Sequence, residues 1–183
     1  MMHRFLAARV LPLAAALWLA TPTARALAQS ASAAEIRAGF AVNFVKFTEW
    51  PADTLTPGAP LTICVFDDPL GADALEHIAH GHAVSGHEIR VARLSEGDSP
   101  HACQVVDATR LGPKAKTQLL AELKASAVLT VAQSPDFIKQ GGITELYVEG
   151  NRMRFAVNLS AAQRARLQLS AKLLSLARVI EDE

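Results

Sequence analysis

The chain has 183 residues with 18 basic and 18 acidic side chains, enough for one compact domain with a sizeable core and too few for two. No basic excess or cluster is present, which argues against a nucleic-acid surface.

The first 28 residues read as a secretory signal. Arg4 and Arg9 precede the apolar run from Val10 to Ala20, and Ala26-Leu27-Ala28 supplies small residues for cleavage. An 11-residue run is well short of the roughly 20 that span a bilayer as a helix. The absence of a cysteine near the cleavage point removes a lipid-attachment signal, so the expectation is a periplasmic product, cleaved near Ala28, with no membrane insertion afterwards. The leader carries three arginines and no acid, which leaves 15 basic against 18 acidic side chains in a single domain over residues 29–183.

The segment "GFAVNFVKFTEWP" then predicts a helix ended by Pro51, with Ile36, Phe40, Asn43, Phe44, Phe47 and Trp50 on one arc and Arg37, Lys46 and Glu49 pointing elsewhere. Leu61 to Phe66 is a buried strand. Asp68 as N-cap and Pro69 at the first helical position open a helix that stops by Gly81. His87 to Leu94 and Ala102 to Val106 are further strands. Gly112-Pro113 opens a helix to about Ser126 with Leu119, Leu120 and Leu123 inward.

Ala127 to Val131 is a fourth core strand, and Ser134-Pro135-Asp136 caps a short helix ended by Gly141-Gly142. Ile143 to Glu149 and Arg152 to Leu159 flank Gly150-Asn151, a pair suited to the positive φ angles of a two-residue hairpin turn. In that register Glu149 faces Arg152, Val148 faces Met153, Tyr147 faces Arg154 and Leu146 faces Phe155. Ser160 with Gln163 forms a capping-box pattern for a last, long helix whose stripe is Leu169, Leu173, Leu176 and Ile180. The fold class expected is a single-domain α/β sandwich with a mixed, largely parallel sheet and a C-terminal antiparallel hairpin followed by that helix.

Candidate chemistry is sparse. His77, His80, His82 and His87 lie close together, but Gly81 interrupts their helix and the surroundings read as a solvated turn, so no metal site is expected. Asp67 and Asp68 stand where open α/β sheets bind ligands, although capping already accounts for one of them. No nucleophile elbow, phosphate loop or Cys-x-x-Cys centre occurs, so no catalytic residue, cofactor or enzyme activity is expected. Asn43 within the aromatic arc, with Phe47 and Trp50, and Arg152, Arg154 and Asn158 on the hairpin are the candidate partner- or ligand-binding residues. Each has a structural alternative as a packing or solvated side chain. Cys64 and Cys103 are expected to pair in an oxidising compartment, the alternative being two separately buried thiols.

The run "NFVKFTEWP", the strand "LTICVF", the cysteine of "HACQVV", "AVLTV", the glycine pair before "ITELYVEGNRMRFAVN" and the closing "ARLQLSAKLLSLARVI" resemble, in this order, the YfiR/HmsC-like family of periplasmic proteins. The resemblance covers about Ala33 to Ile180. It implies a regulator that binds the periplasmic sensor region of an inner-membrane diguanylate cyclase and holds down cyclic-di-GMP synthesis. An outer-membrane lipoprotein partner and a homodimer are also implied. The resemblance matches Cys64 and Cys103 to the family's disulfide, and a second disulfide of some members has no counterpart. The alternative function is a small-molecule-binding protein of the envelope, with its ligand above Asp67 and Asp68 or against the hairpin arginines.

Overall fold

The computed structural model describes residues 22–181, with side chains from residue 29 onward. The expected leader therefore lies outside the described residues, apart from the backbone of residues 22–28, which belongs to the first helix. In chain order the elements are α1 (Pro22–Lys46), β1 (Thr48–Glu49), β2 (Leu61–Phe66), α2 (Pro69–Ala79), β3 (Ala83–Val84), β4 (His87–Leu94), β5 (Val105–Asp107) and α3 (Pro113–Leu123). They continue with β6 (Leu129–Ala132), β7 (Thr144–Glu149), β8 (Arg152–Asn158), α4 (Leu159–Arg164), β9 (Gln168–Leu169), α5 (Ala171–Leu174) and β10 (Arg178–Ile180). Among the described residues no helix is long and apolar enough to cross a membrane.

Eight strands form one sheet in the order β10-β8-β7-β6-β5-β2-β4-β3, while β1 and β9 make a separate antiparallel pair. Only β7–β8 and β3–β4 are antiparallel within the large sheet, so it is mixed and largely parallel, as expected. Alternation along β2 divides the core. Leu61, Ile63 and Val65 face α1 and α2, whereas Cys64 and Phe66 face α3 together with Val106 and Leu119. Each face of the parallel strands is covered, which such strands require because their side chains are buried on both sides.

The hairpin adopts the expected register from Glu149↔Arg152 to Leu146↔Phe155. Gly150 and Asn151 have φ of 55° and 60°, the signs that a tight two-residue turn demands. Asp68 caps α2 by accepting from the Gly71 N–H at 3.0 Å, with Pro69 opening the helix.

Three expectations change. First, α1 stops at Lys46 rather than at Pro51, and the chain turns so that Thr48 pairs with Leu169 and the Ser170 N–H donates to the Phe47 carbonyl. Its buried face is also rotated. Ala34, Arg37, Ala38, Ala41 and Val45 face inward, while Ile36 and Asn43 are exposed. Alanines allow α1 to pack closely on α2, and a reading weighted toward large apolar residues puts the arc too far round. Phe40 and Phe44 still serve the core, with ring centroids 5.9 Å and 5.2 Å from Phe155 of β8.

Second, residues 134–142 form turns instead of a short helix. Third, helical turns do follow the hairpin, but as two short helices rather than one long one. The cap of α4 is Asn158, not Ser160: its Oδ1 accepts from the Ala161 N–H at 2.8 Å. Arg166 takes φ 57° and the Leu167 N–H reaches back to the Ala162 carbonyl at 3.0 Å, a Schellman stop made without glycine. The exposed Arg166 guanidinium pairs with Asp53 at 2.9 Å.

Cys64 and Cys103 form a disulfide with Cα atoms 5.8 Å apart, and both are buried on the α3 face. The bridge closes a separation of 39 residues, for which chain entropy predicts a contribution of roughly 3–4 kcal/mol. The double substitution Cys64→Ala/Cys103→Ala should lower the unfolding free energy in urea by about that amount. A loss below about 1 kcal/mol would show that native packing, not loop closure, holds this region.

Candidate functional site

The chain leaves β2 toward β4 on one side and later returns through β5 on the other, so the sheet reverses its winding between β2 and β5. Open α/β sheets favour ligands above the carboxyl ends of strands at such a point. Here that position holds charged side chains from four segments. Asp68 follows β2, Asp107 ends β5, Arg110 follows it, and Arg37 reaches over from α1.

Arg37 and Asp68 form a buried ion pair, with side chains 6% and 3% exposed. The Arg110 Nε lies 3.7 Å from the same Asp68 carboxylate. Gly71 lets the carboxylate sit against α2, because a Cβ there would fall 2.6 Å from Asp68 Oδ2. Asp107 accepts from the Thr109 N–H at 2.8 Å. Burial pushes its carboxyl pKa up from the ordinary 3.8, opposed by the Thr109 hydrogen bonds and the charge of Arg37. The residue as a whole is half-buried. Desolvation lowers the ammonium pKa of nearby Lys116, partly countered by the charge of Asp107. Arg37 Nε is buried without a hydrogen-bond partner among the described residues.

This cluster ties α1 to the start of α2, and its acid is already committed to two cations. The adjoining groove, bounded by Asp67, Asp68 and Arg93, measures about 170 Å³, below the roughly 300 Å³ typical of organic-ligand sites. At the opposite end of the sheet a larger cleft of about 360 Å³ lies between the end of α1 and the β3–β4 hairpin. It is lined by Thr48, Glu49, Trp50 and His87 among others. The Thr48 hydroxyl is buried there without a partner, an arrangement that costs roughly 1–3 kcal/mol.

The residues singled out in the sequence do not converge on one place. Asn43 is an exposed residue of α1, so the expected buried amide is corrected. Phe47 is half-buried beneath Lys172, whose Nζ is 5.3 Å from the ring centroid. Trp50, also half-buried, lies outside the helix and donates from Nε1 to the Gln104 carbonyl at 3.2 Å. Arg152 and Arg154 are exposed on the hairpin, Arg154 in a diagonal pair with Glu149 at 2.8 Å. Asn158 is fully buried; besides capping α4 it donates to the Ile138 carbonyl at 2.9 Å, which anchors the 134–142 turns. His77, His80 and His82 are exposed and apart from the half-buried His87, whose Nδ1 is 2.7 Å from the Ala59 carbonyl.

Arg37 and Asp107 were not legible as site residues. The one usable signal was a charge spaced three and four residues from Ala34 and Ala41 within an alanine row. Two results follow from the cluster. Asp68→Asn leaves Arg37 charged and buried, and should cost roughly 3–5 kcal/mol in denaturant unfolding, most of it recovered in Arg37→Met/Asp68→Asn. For Asp107, the raised folded pKa means that the folded state keeps its proton longer, so its stabilising contribution is complete below about pH 4 and is lost as pH rises. Asp107→Asn should therefore gain stability relative to the parent between about pH 4 and pH 7; parallel pH profiles would contradict the enclosure of this carboxyl.

Among solved structures, a conserved domain protein from Vibrio cholerae O1 biovar El Tor is similar at 14% identity with a TM-score of 0.48. The match covers 66% of this chain and 54% of that one, so the chain spans about half the length of that relative. No curated protein sequence matches significantly. The sequence profile of the YfiR/HmsC-like family matches residues 34–178, from the buried face of α1 through β8 to the first residue of β10. On that match, over most of its length, the chain belongs to the YfiR/HmsC-like family.

Proposed function

We propose that the protein is a periplasmic regulator that binds the sensor region of an inner-membrane diguanylate cyclase and represses cyclic-di-GMP synthesis. Family membership across residues 34–178 is the observation that carries this reading. In it the chain acts by contact and has no catalytic site, with an outer-membrane lipoprotein as the partner that sequesters it and a homodimer as its assembly.

The surface at one end of the sheet supports a contact role. Among the described residues strand β10 is outermost and pairs only with β8, so its other edge offers backbone groups to an incoming chain. Val148, Leu176 and Val179, three large apolar side chains on this end, are 60%, 70% and 40% exposed. Arg178 lies 4.7 Å from the Tyr147 ring centroid and braces β10 against the hairpin. Arg152 and Arg154 lie on the other face of the same hairpin, the face that carries Tyr147 and Arg178, and are further contact candidates there. Asn43, on the exposed side of α1, is a further contact candidate. A second reading, a small-molecule-binding protein of the envelope, is favoured by the volume of the cleft beside Trp50.

Deletion of the gene should raise cellular cyclic-di-GMP and biofilm formation where the cognate cyclase is expressed. Val179→Asp and Leu176→Asp should weaken binding of the purified protein to the sensor region by roughly tenfold or more while leaving its unfolding midpoint within a few degrees. Unchanged cyclic-di-GMP in the deletion strain would reject the repressor role; unchanged affinity in both variants would reject this surface.

A further inference from the structure

We propose that the cleft between α3 and α4 is a binding site for a small organic anion, a carboxylate carried on a compact apolar body. The assignment goes beyond the cyclase contact and does not depend on it, since the walls come from α3, β6, the turns of residues 140–143 and α4 rather than from β10.

The cleft exists because a helix is missing. β6 and β7 are parallel neighbours, and a parallel crossover is usually built around an α-helix that covers the strands it joins. Here the crossover of residues 134–142 forms turns and offers no helix to pack beside α3. A gap of about 240 Å³ remains between α3 and α4. Leu120, Leu123, Val128 and Ile143 are buried beneath it and form an apolar floor. Gly141, at φ 100°, bends the crossover along the rim in a backbone geometry that other residues rarely adopt.

The charge of the walls selects the ligand. Lys124 and Arg164 line the cleft, and no aspartate, glutamate or histidine does. Both cations belong to exposed residues, and both stay charged at any physiological pH, so the sign of the site depends on no titration. The hydroxyls nearby are already used: Thr130 Oγ1 accepts from the Ile143 N–H at 2.9 Å, and Thr117 Oγ1 donates to the Pro113 carbonyl at 3.1 Å. An ammonium ligand would meet two like charges, whereas a carboxylate can accept from an ammonium and a guanidinium in short charge-assisted bonds. The volume lies just under the roughly 300 Å³ of common organic-ligand sites, which limits the apolar body to a single ring or a short branched chain. Lys124 caps α3 and Arg164 ends α4, positions where a cation also offsets the helix dipole. That duty alone predicts no saturable ligand, and experiment separates the two.

The test uses the purified protein with benzoate, its neutral counterpart benzamide and its cationic counterpart benzylamine, read by calorimetry and thermal unfolding. Saturable binding and a raised unfolding midpoint with benzoate, and neither with the other two, are expected. Lys124→Gln, a change at an exposed side chain, should weaken benzoate roughly tenfold without moving the midpoint of the unliganded protein. Ala121→Phe, at an exposed position on the same wall, should obstruct the cleft and abolish binding. No saturable benzoate binding up to about 10 mM, equal binding of benzylamine or benzamide, or an unaltered affinity in both variants would each overturn the site. A protein that fails these tests yet still represses the cyclase loses this site alone, and one that binds benzoate without repressing the cyclase keeps it.

Discussion

Asp68 is the constraint around which the upper half of the molecule is organised. One carboxylate caps α2 through the Gly71 N–H, neutralises the buried Arg37 of α1 and faces Arg110 beyond β5. Removing two charges from water is costly, and the cost is offset only where geometry and further hydrogen bonds are good. The pair therefore specifies more than it stabilises: α1 has one rotation and one height at which Arg37 meets its partner. The alanine row below it then packs α1 against α2, and the Phe40 and Phe44 rings reach Phe155 across the sheet.

The two faces of the sheet are held by different means. Under α1 and α2 the core is broad and continuous, from Ala38 to Leu173. Under α3 it is smaller, and there the Cys64–Cys103 bridge joins β2 to the turn before β5. A covalent tie contributes most where little apolar surface is available, which is the case at this lesser core. The bridge also steadies Gln104, whose side chain accepts from the Thr62 N–H at 2.8 Å and whose carbonyl receives the Trp50 indole.

These supports leave two regions with unspent interaction capacity. The β10 edge carries exposed apolar side chains, and its outer backbone groups have no strand partner among the described residues. Beside the cleft near Trp50, the buried Thr48 hydroxyl has no hydrogen-bond partner among the described residues. They lie in different parts of the molecule, one on the outermost strand and hairpin, the other at the amino end of the sheet.

Local chemistry was enough to read β2, β4, β6, β7 and β8, the Asp68–Pro69 and Gly112–Pro113 helix starts, and the Gly150-Asn151 hairpin with its register, because each depends on neighbours a few residues apart; β1, β9 and β10, expected as helix, are strands only because of partners far along the chain. The disulfide too was legible, from compartment and cysteine count. Tertiary structure alone decided where α1 ends, since that depends on Thr48 finding Leu169 more than a hundred positions later. It also decided that Arg166, rather than a glycine, stands at the left-handed position that ends α4. Burial of Arg37 with Asp68 belongs to the same class. A charge can enter a core only if its counter-ion arrives from another element, and no pattern within one helix or strand records that meeting.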